Sequence, residues 1–202
     1  IRHFSELVKP ESLGNRNFLF FFVIAVAVGT DGNRRALARF AVEDLRGRRL
    51  AILFDFKQDY SVGLAEFFRQ KARELGAEIV ADERYTSGDI DFRPQLTTIR
   101  AANPDAVFVP GYYTEVGLIA RQAREKGLNV PLLGGDGWDS EKTVEIGGVA
   151  VDGYYFSTHY AADSDNPRVQ EFVRKFAAKN GATPDAMAAL GYDAAGILAD
   201  RS

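Results

Sequence analysis

Short apolar runs alternate along the chain with segments in which apolar residues recur every three to four positions. The first pattern is typical of buried strands and the second of helices with one buried face. Strands are predicted over residues 18–28, 50–54, 78–81, 106–109, 131–133 and 153–157. Helices are predicted over residues 36–45, 62–76, 92–102, 116–126 and 140–146, with two more that begin at Asn166-Pro167 and at Pro184.

This alternation of strands and helices predicts an α/β fold with a doubly wound, mainly parallel sheet, of the Rossmann-like or flavodoxin-like kind. Strand–helix–strand connections are right-handed, so the loops that follow the strands emerge at one edge of the sheet. We therefore expect residues 56–60, 111–114 and 135–138 to line one rim, where ligands bind in such folds. Two tyrosines, Tyr112 and Tyr113, and the carboxylate of Asp136 between glycines would make a polar cluster with aromatic walls there.

Composition narrows the chemistry that this rim can perform. The formal charge of −3 argues against nucleic acid as a partner, because phosphate binding needs a clustered basic surface. Cysteine is absent, and the two histidines, His3 and His159, lie in unrelated sequence contexts. No glycine-rich phosphate loop occurs. We expect no catalytic residue, no metal site and no cofactor, and interpret the chain as a binding module.

The apolar residues 18–28 form the longest such run, and it is too short for a membrane span, which needs about 20 residues. The run has no Lys/Arg-rich leader and is followed by a turn-forming segment. We therefore expect a buried strand here and no signal peptide in the chain.

Six motifs occur in order and together resemble one protein family. They are Phe54-Asp55 with Asp59-Tyr60-Ser61-Val62-Gly63-Leu64, Gly88-Asp89-Ile90-Asp91-Phe92, Asn103-Pro104-Asp105-Ala106-Val107, Gly111-Tyr112-Tyr113, Gly134-Gly135-Asp136-Gly137 and Ala189-Leu190-Gly191-Tyr192-Asp193-Ala194. With this spacing the chain resembles the branched-chain amino-acid-binding proteins, the type I periplasmic binding proteins that serve ABC transporters.

The resemblance implies the second lobe of a two-lobed protein, with an amino acid or an analogue held between the lobes. It places ligand contacts at Tyr60, Tyr112 and Asp136, with the Asp136 carboxylate facing the ligand's ammonium group. Trp138 is expected to wall the pocket or to stack on a flat ligand. The resemblance further implies a membrane permease as partner of the full-length parent and a periplasmic or extracytoplasmic location.

The match departs from the family pattern at both ends of the chain. Residues 1–33 are interpreted as a flank or a rebuilt remnant of the first lobe with one apolar strand, and residues 34–182 as the ligand-binding lobe. Residues 183–202 are expected to form a helix that leads back toward a missing first lobe. A lobe alone would expose its apolar hinge-side surface, so self-association is a further expectation.

Plainer interpretations stay open beside these. Asp136 could be a turn residue, and Tyr60 could serve only in packing. The same fold also occurs in ligand-sensing domains of receptors. A flavodoxin-like enzyme that uses Asp55 at a strand end is a third possibility, although a loop-capping role for Asp55 is favoured because no companion acidic pair or lysine follows matching strands.

Overall fold

The computed structural model describes residues 22–25, 36–158 and 161–199. Within these ranges six parallel strands form one sheet in the order β1-β6-β5-β4-β2-β3. Their bounds are Phe22–Ala25 (β1), Arg49–Asp55 (β2), Glu78–Tyr85 (β3), Ala106–Phe108 (β4), Leu132–Gly134 (β5) and Tyr155–Thr158 (β6). The predicted fold class is confirmed, and His3 and His159 lie outside the described residues.

Helices connect the strands. Residues 36–44 are helical (α1) and end in the π-helical turn Phe40–Asp44. The remaining α-helices are Asp59–Glu74 (α2), Arg93–Ala101 (α3), Tyr113–Glu125 (α4), Glu141–Gly147 (α5), Pro167–Asn180 (α6) and Ala186–Ala199 (α7), and two 3₁₀ turns cover Asp136–Trp138 and Gly148–Val151. Among the described residues no helix combines the length and the apolarity needed to cross a membrane.

Both faces of β2 are buried, as expected for a strand of a parallel sheet covered by helices. On one face, Leu50, Ile52 and Phe54 of β2 pack with α1 and α2. On the other face, Ala51 and Leu53 pack with α3 and α4. The alternate residues of one strand therefore serve two cores, which explains why residues 50–54 read as a continuous apolar run.

The direction in which successive strands are added to the sheet reverses at β2. It passes from β2 through α2 to β3 at one edge, and then through α3 to β4 on the opposite side of β2. The loops that follow β2 and β4 therefore flank a crevice at the carboxyl edge of the sheet. Crevices at such switch points are where open α/β sheets bind ligands.

Several predicted bounds shift in ways that affect the site. Helix α2 begins at Asp59 and not at residue 62, and α4 begins at Tyr113 and not at residue 116, so both predicted tyrosines lie at helix starts. Strand β3 extends to Tyr85, beyond the predicted residue 81. The prediction stopped early because the consecutive charged residues 82–84 interrupt the apolar run, which an edge strand tolerates.

The predicted strand at residues 18–28 is confirmed where it can be described. Phe22–Ala25 pair in parallel with Tyr155–Thr158 at the edge of the sheet, and the rest of that run lies outside the described residues. The predicted C-terminal helix is α7.

Candidate functional site

Three loops from different strands meet at the crevice. Tyr60 lies in the first turn of α2, Tyr112 directly precedes α4, and Asp136 begins the 3₁₀ turn after β5. The hydroxyl of Tyr60 donates a hydrogen bond to Oδ1 of Asp136 at 2.7 Å. The rings of Tyr60 and Tyr112 stack with their centroids 5.2 Å apart and their planes 28° from parallel. The structure therefore brings together three of the four predicted site residues.

The Tyr60 hydroxyl also accepts a hydrogen bond from the backbone N–H of Gly137 at 3.2 Å. Burial, and then the charge and the hydrogen bond of Asp136, raise the pKa of Tyr60 well above its usual value. The phenol consequently keeps its proton over the physiological range and stays a donor to Asp136. Tyr112 is 39% exposed, so its ring forms part of the open surface of the site.

The glycines of the β5 loop provide the space for this arrangement. A Cβ atom on Gly135 would lie 2.5 Å from the Tyr60 hydroxyl, and one on Gly137 would lie 2.5 Å from the carbonyl oxygen of Gly111. Real Cβ atoms do not approach other atoms so closely. Glycine at both positions therefore lets the loop that carries Asp136 close against Tyr60 and the loop of Tyr112.

Trp138 does not wall the crevice, and the prediction that it does is wrong. Its side chain is 1% exposed, and its indole N–H donates to the carbonyl of Val109 at 2.9 Å. The ring packs with Tyr154 and Phe156 beneath the sheet edge and fills the space that a side chain on Gly134 would occupy. The tryptophan supports the site from below and does not offer its face to a ligand.

Ser61 stabilises the loops around the site, although the sequence did not identify it as a site residue. It is fully buried, its hydroxyl donates to the carbonyl of Pro110, and it accepts the backbone N–H of Asp55 at 2.9 Å. The serine therefore connects the loop after β2 with the loop after β4. A serine beside Tyr60 at a helix start is the only sequence signal for this role, and it is weak.

Asp55 caps its own loop. The side chain is 2% exposed, Oδ1 accepts the backbone N–H of Lys57 at 2.9 Å, and Oδ2 accepts the hydroxyl of Ser87. These contacts support the loop-capping interpretation over a nucleophile. Over the part of the chain that the structure describes, no three His, Cys, Asp or Glu residues are grouped as a metal site would require.

A doubly wound lobe with an aromatic and acidic cluster at its switch point is the architecture of a ligand-binding lobe. A family profile described as "Periplasmic binding protein" matches residues 12–200. The chain therefore belongs to the periplasmic binding protein family.

Curated relatives agree with this assignment. The chain is 30% identical over 174 residues to the Leu/Ile/Val-binding protein homolog 3 of Brucella melitensis, a match that covers 84% of this chain and 47% of the relative. It is 27% identical over 173 residues to the leucine-, isoleucine-, valine-, threonine- and alanine-binding protein of Pseudomonas aeruginosa, covering 85% and 46%. The chain thus spans about half the length of the curated relatives it matches.

Solved structures show the same fold. A leucine-binding protein of Thermotoga maritima superposes with a TM-score of 0.77 at 44% identity, over 83% of this chain and 48% of that one. A substrate-binding protein of a branched-chain amino acid transporter from Streptococcus pneumoniae, solved with isoleucine, superposes with a TM-score of 0.76 at 32% identity, over 83% and 48%.

Proposed function

We propose that this chain is a ligand-binding lobe of an ABC-type solute-binding protein for branched-chain or related amino acids, and that it binds its ligand without catalysis. The observation that carries the proposal is the convergence of Tyr60, Tyr112 and Asp136 at the switch point of the sheet. The names of the similar proteins supply the ligand class.

The chemistry of the cluster supports an amino acid. An ionised aspartate accepts hydrogen bonds, and a bond from an ammonium group to a carboxylate is about twice as strong as one between neutral groups. The exposed face of Tyr112 offers an aromatic surface on which an aliphatic side chain can pack while the hydroxyl stays hydrated. We therefore assign the ammonium end of the ligand to Asp136 and part of its side chain to Tyr112.

Two features support binding without turnover. The buried carboxylate of Asp55 is engaged by Lys57 of its own loop and by Ser87 of the loop after β3, and the described residues hold no grouped metal ligands. The cluster at the crevice contains two phenols and one carboxylate, and it lacks a nucleophile paired with a base.

The proposal includes partners and a location. Membership of the family supports a membrane permease as partner of the full-length parent and a periplasmic or extracytoplasmic location. It also includes self-association, because α7 is almost entirely apolar and exposes Met187, Leu190, Ile197 and Leu198. An apolar surface of this kind on a described helix favours contact with a second copy of the chain.

A calorimetric titration with leucine, isoleucine, valine and phenylalanine tests the ligand class. We expect heat of binding with at least one aliphatic amino acid, and its loss in Asp136→Ala. Asp152→Ala removes an exposed carboxylate from another part of the lobe and serves as the matched control. Equal binding by Asp136→Ala and the control would refute the assigned site, and no binding by any amino acid would refute the ligand class.

A further inference from the structure

The hydroxyl of Tyr60 has its donor committed inside the protein. A phenol carries one proton, and here that proton is donated to Asp136 at 2.7 Å. One lone pair of the same oxygen accepts the N–H of Gly137 at 3.2 Å. Tyr60 therefore has no proton left to donate to a ligand, so a ligand carbonyl or carboxylate gains nothing from it.

The same two bonds fix the acidic loop from outside. Asp136 lies on a 3₁₀ turn of three residues, which is a short element with little structure of its own. Tyr60 comes from the sixteen-residue helix α2 and contacts both the side chain of Asp136 and the backbone of the following residue. The carboxylate is thus oriented by a residue that belongs to another strand–helix unit.

Packing holds the Tyr60 hydroxyl in the position from which it contacts Asp136 and Gly137. Its ring is stacked on Tyr112, and its hydroxyl occupies the space next to the Cα of Gly135, where any side chain would displace it. Leu64, one turn further along the same face of α2, also packs against Gly135. The position of the phenol is therefore set by contacts that do not need a ligand.

We propose that Tyr60 is a positioning residue, which holds the Asp136 carboxylate in the orientation that binds a ligand ammonium group and thereby makes the site select amino acids over their α-keto acids. The inference rests on the proposed function. Within it, Asp136 contacts the ligand, and Tyr60 holds Asp136 in place and makes no ligand contact through its hydroxyl. An α-keto acid has a carbonyl oxygen where the amino acid has its ammonium, and neither Asp136 nor Tyr60 can donate to it.

The test compares the dissociation constants of leucine and of its α-keto acid, α-ketoisocaproate, by amide NMR titration of the whole chain. Tyr60→Phe keeps the stacked ring and removes only the hydroxyl. We expect leucine to bind at least about tenfold more weakly to this variant, the loss of a hydrogen bond to a charged group. Binding of α-ketoisocaproate should stay unchanged, so that the preference for leucine falls by the same factor.

Two further variants separate positioning from general damage. In Asp136→Ala the carboxylate is gone and leucine binding is lost, so the double variant with Tyr60→Phe is titrated with α-ketoisocaproate, whose dissociation constant should equal that for Asp136→Ala alone. Tyr154→Phe removes another buried phenol hydroxyl, one without a hydrogen-bond partner and outside the site, and should leave both ligands unaffected.

Each other outcome overturns the inference. A Tyr60→Phe variant that loses both ligands equally would show a merely structural role, and one that binds leucine unchanged or more tightly would show that the phenol does not help Asp136. Weaker binding of α-ketoisocaproate by the double variant than by Asp136→Ala would show a separate contact between Tyr60 and the ligand. If wild-type chain binds no amino acid, the proposed function fails first and this inference fails with it.

Discussion

The Tyr60 hydroxyl and the Asp136 carboxylate lie 76 residues apart in sequence and 2.7 Å apart in the structure. The tyrosine lies in the first turn of α2, directly after β2, and the aspartate lies in the 3₁₀ turn after β5, two strands away from β2 in the sheet. Their contact spans the switch point of the sheet. The bond links the two segments that border the crevice. It also orients the carboxylate that we assign to the ligand's ammonium group.

Gly135→Ala should disrupt this contact without removing either partner. The new Cβ would lie 2.5 Å from the Tyr60 hydroxyl and 3.2 Å from Cδ1 of Leu64, so the phenol must move away from Asp136. We expect a loss of about 1–3 kcal/mol in the free energy of unfolding, measured by urea denaturation.

Gly63→Ala is the matched control for that substitution. Gly63 lies inside α2 with no atom within 4 Å of the position of a Cβ, so alanine should stabilise the chain by up to about 1 kcal/mol through its higher helix propensity. Equal stability of the two alanine variants would contradict the tight fit at Gly135.

Trp138 is the one tryptophan of the chain, so its fluorescence reports on its burial alone. We expect a blue-shifted emission that resists quenching by iodide, because the indole is 1% exposed. Trp138→Ala should cost about 3–5 kcal/mol of stability, as truncation of a buried aromatic does. An emission that iodide quenches freely would show that the indole is exposed at the crevice and would contradict its burial.

Stability should fall as the pH rises above about 10, the ordinary pKa of tyrosine. Burial raises the pKa of Tyr154 to about 12, and burial also raises the pKa of Tyr60 and of Tyr85. Above pH 10 the unfolded chain loses these protons while the folded chain keeps them, so the free energy of unfolding declines with pH.

Urea denaturation at pH values on both sides of this threshold measures the decline. Tyr154→Phe removes one of the three groups, so its stability should fall less steeply between about pH 10 and 12 than that of the wild type. Identical slopes for the two proteins would show that Tyr154 ionises alike in the folded and unfolded states.

Helix α7 should mediate association of the chain. Leu198 is 72% exposed on this apolar helix, and Leu198→Lys should shift sedimentation toward the monomer across a concentration series. Val149→Lys changes a residue that is still more exposed, on the turn Gly148–Val151, and should leave the distribution unchanged. A wild-type chain that stays monomeric at every concentration would exclude self-association through this helix.

The fold could be predicted from the sequence because each strand of a covered parallel sheet reads as a continuous apolar run. The rim could be predicted as well, since right-handed crossovers place the loops after β2, β4 and β5 at one edge. The end of β3 could not be predicted from the sequence, because the polar residues of an edge strand interrupt the apolar pattern that marks the other strands.

The site was harder to predict in its details. The direction of Trp138 depends on the empty space beside Gly134, which no local pattern encodes, and a tryptophan after a glycine-rich turn reads alike whether it points inward or outward. The bond between Tyr60 and Asp136 depends on how two distant loops pack. The family resemblance placed both residues in one site, but their mutual contact emerged only from the structure.

The most direct test of the proposed function is an amide NMR titration of the chain with leucine. We predict that the largest chemical-shift changes occur at Gly137, Asp136 and Tyr112, at the crevice between the loops after β2, β4 and β5. They should disappear in Asp136→Ala and persist in Asp152→Ala. Shifts that cluster elsewhere on the lobe, or that survive in Asp136→Ala, would contradict the assignment of this crevice as the amino-acid site.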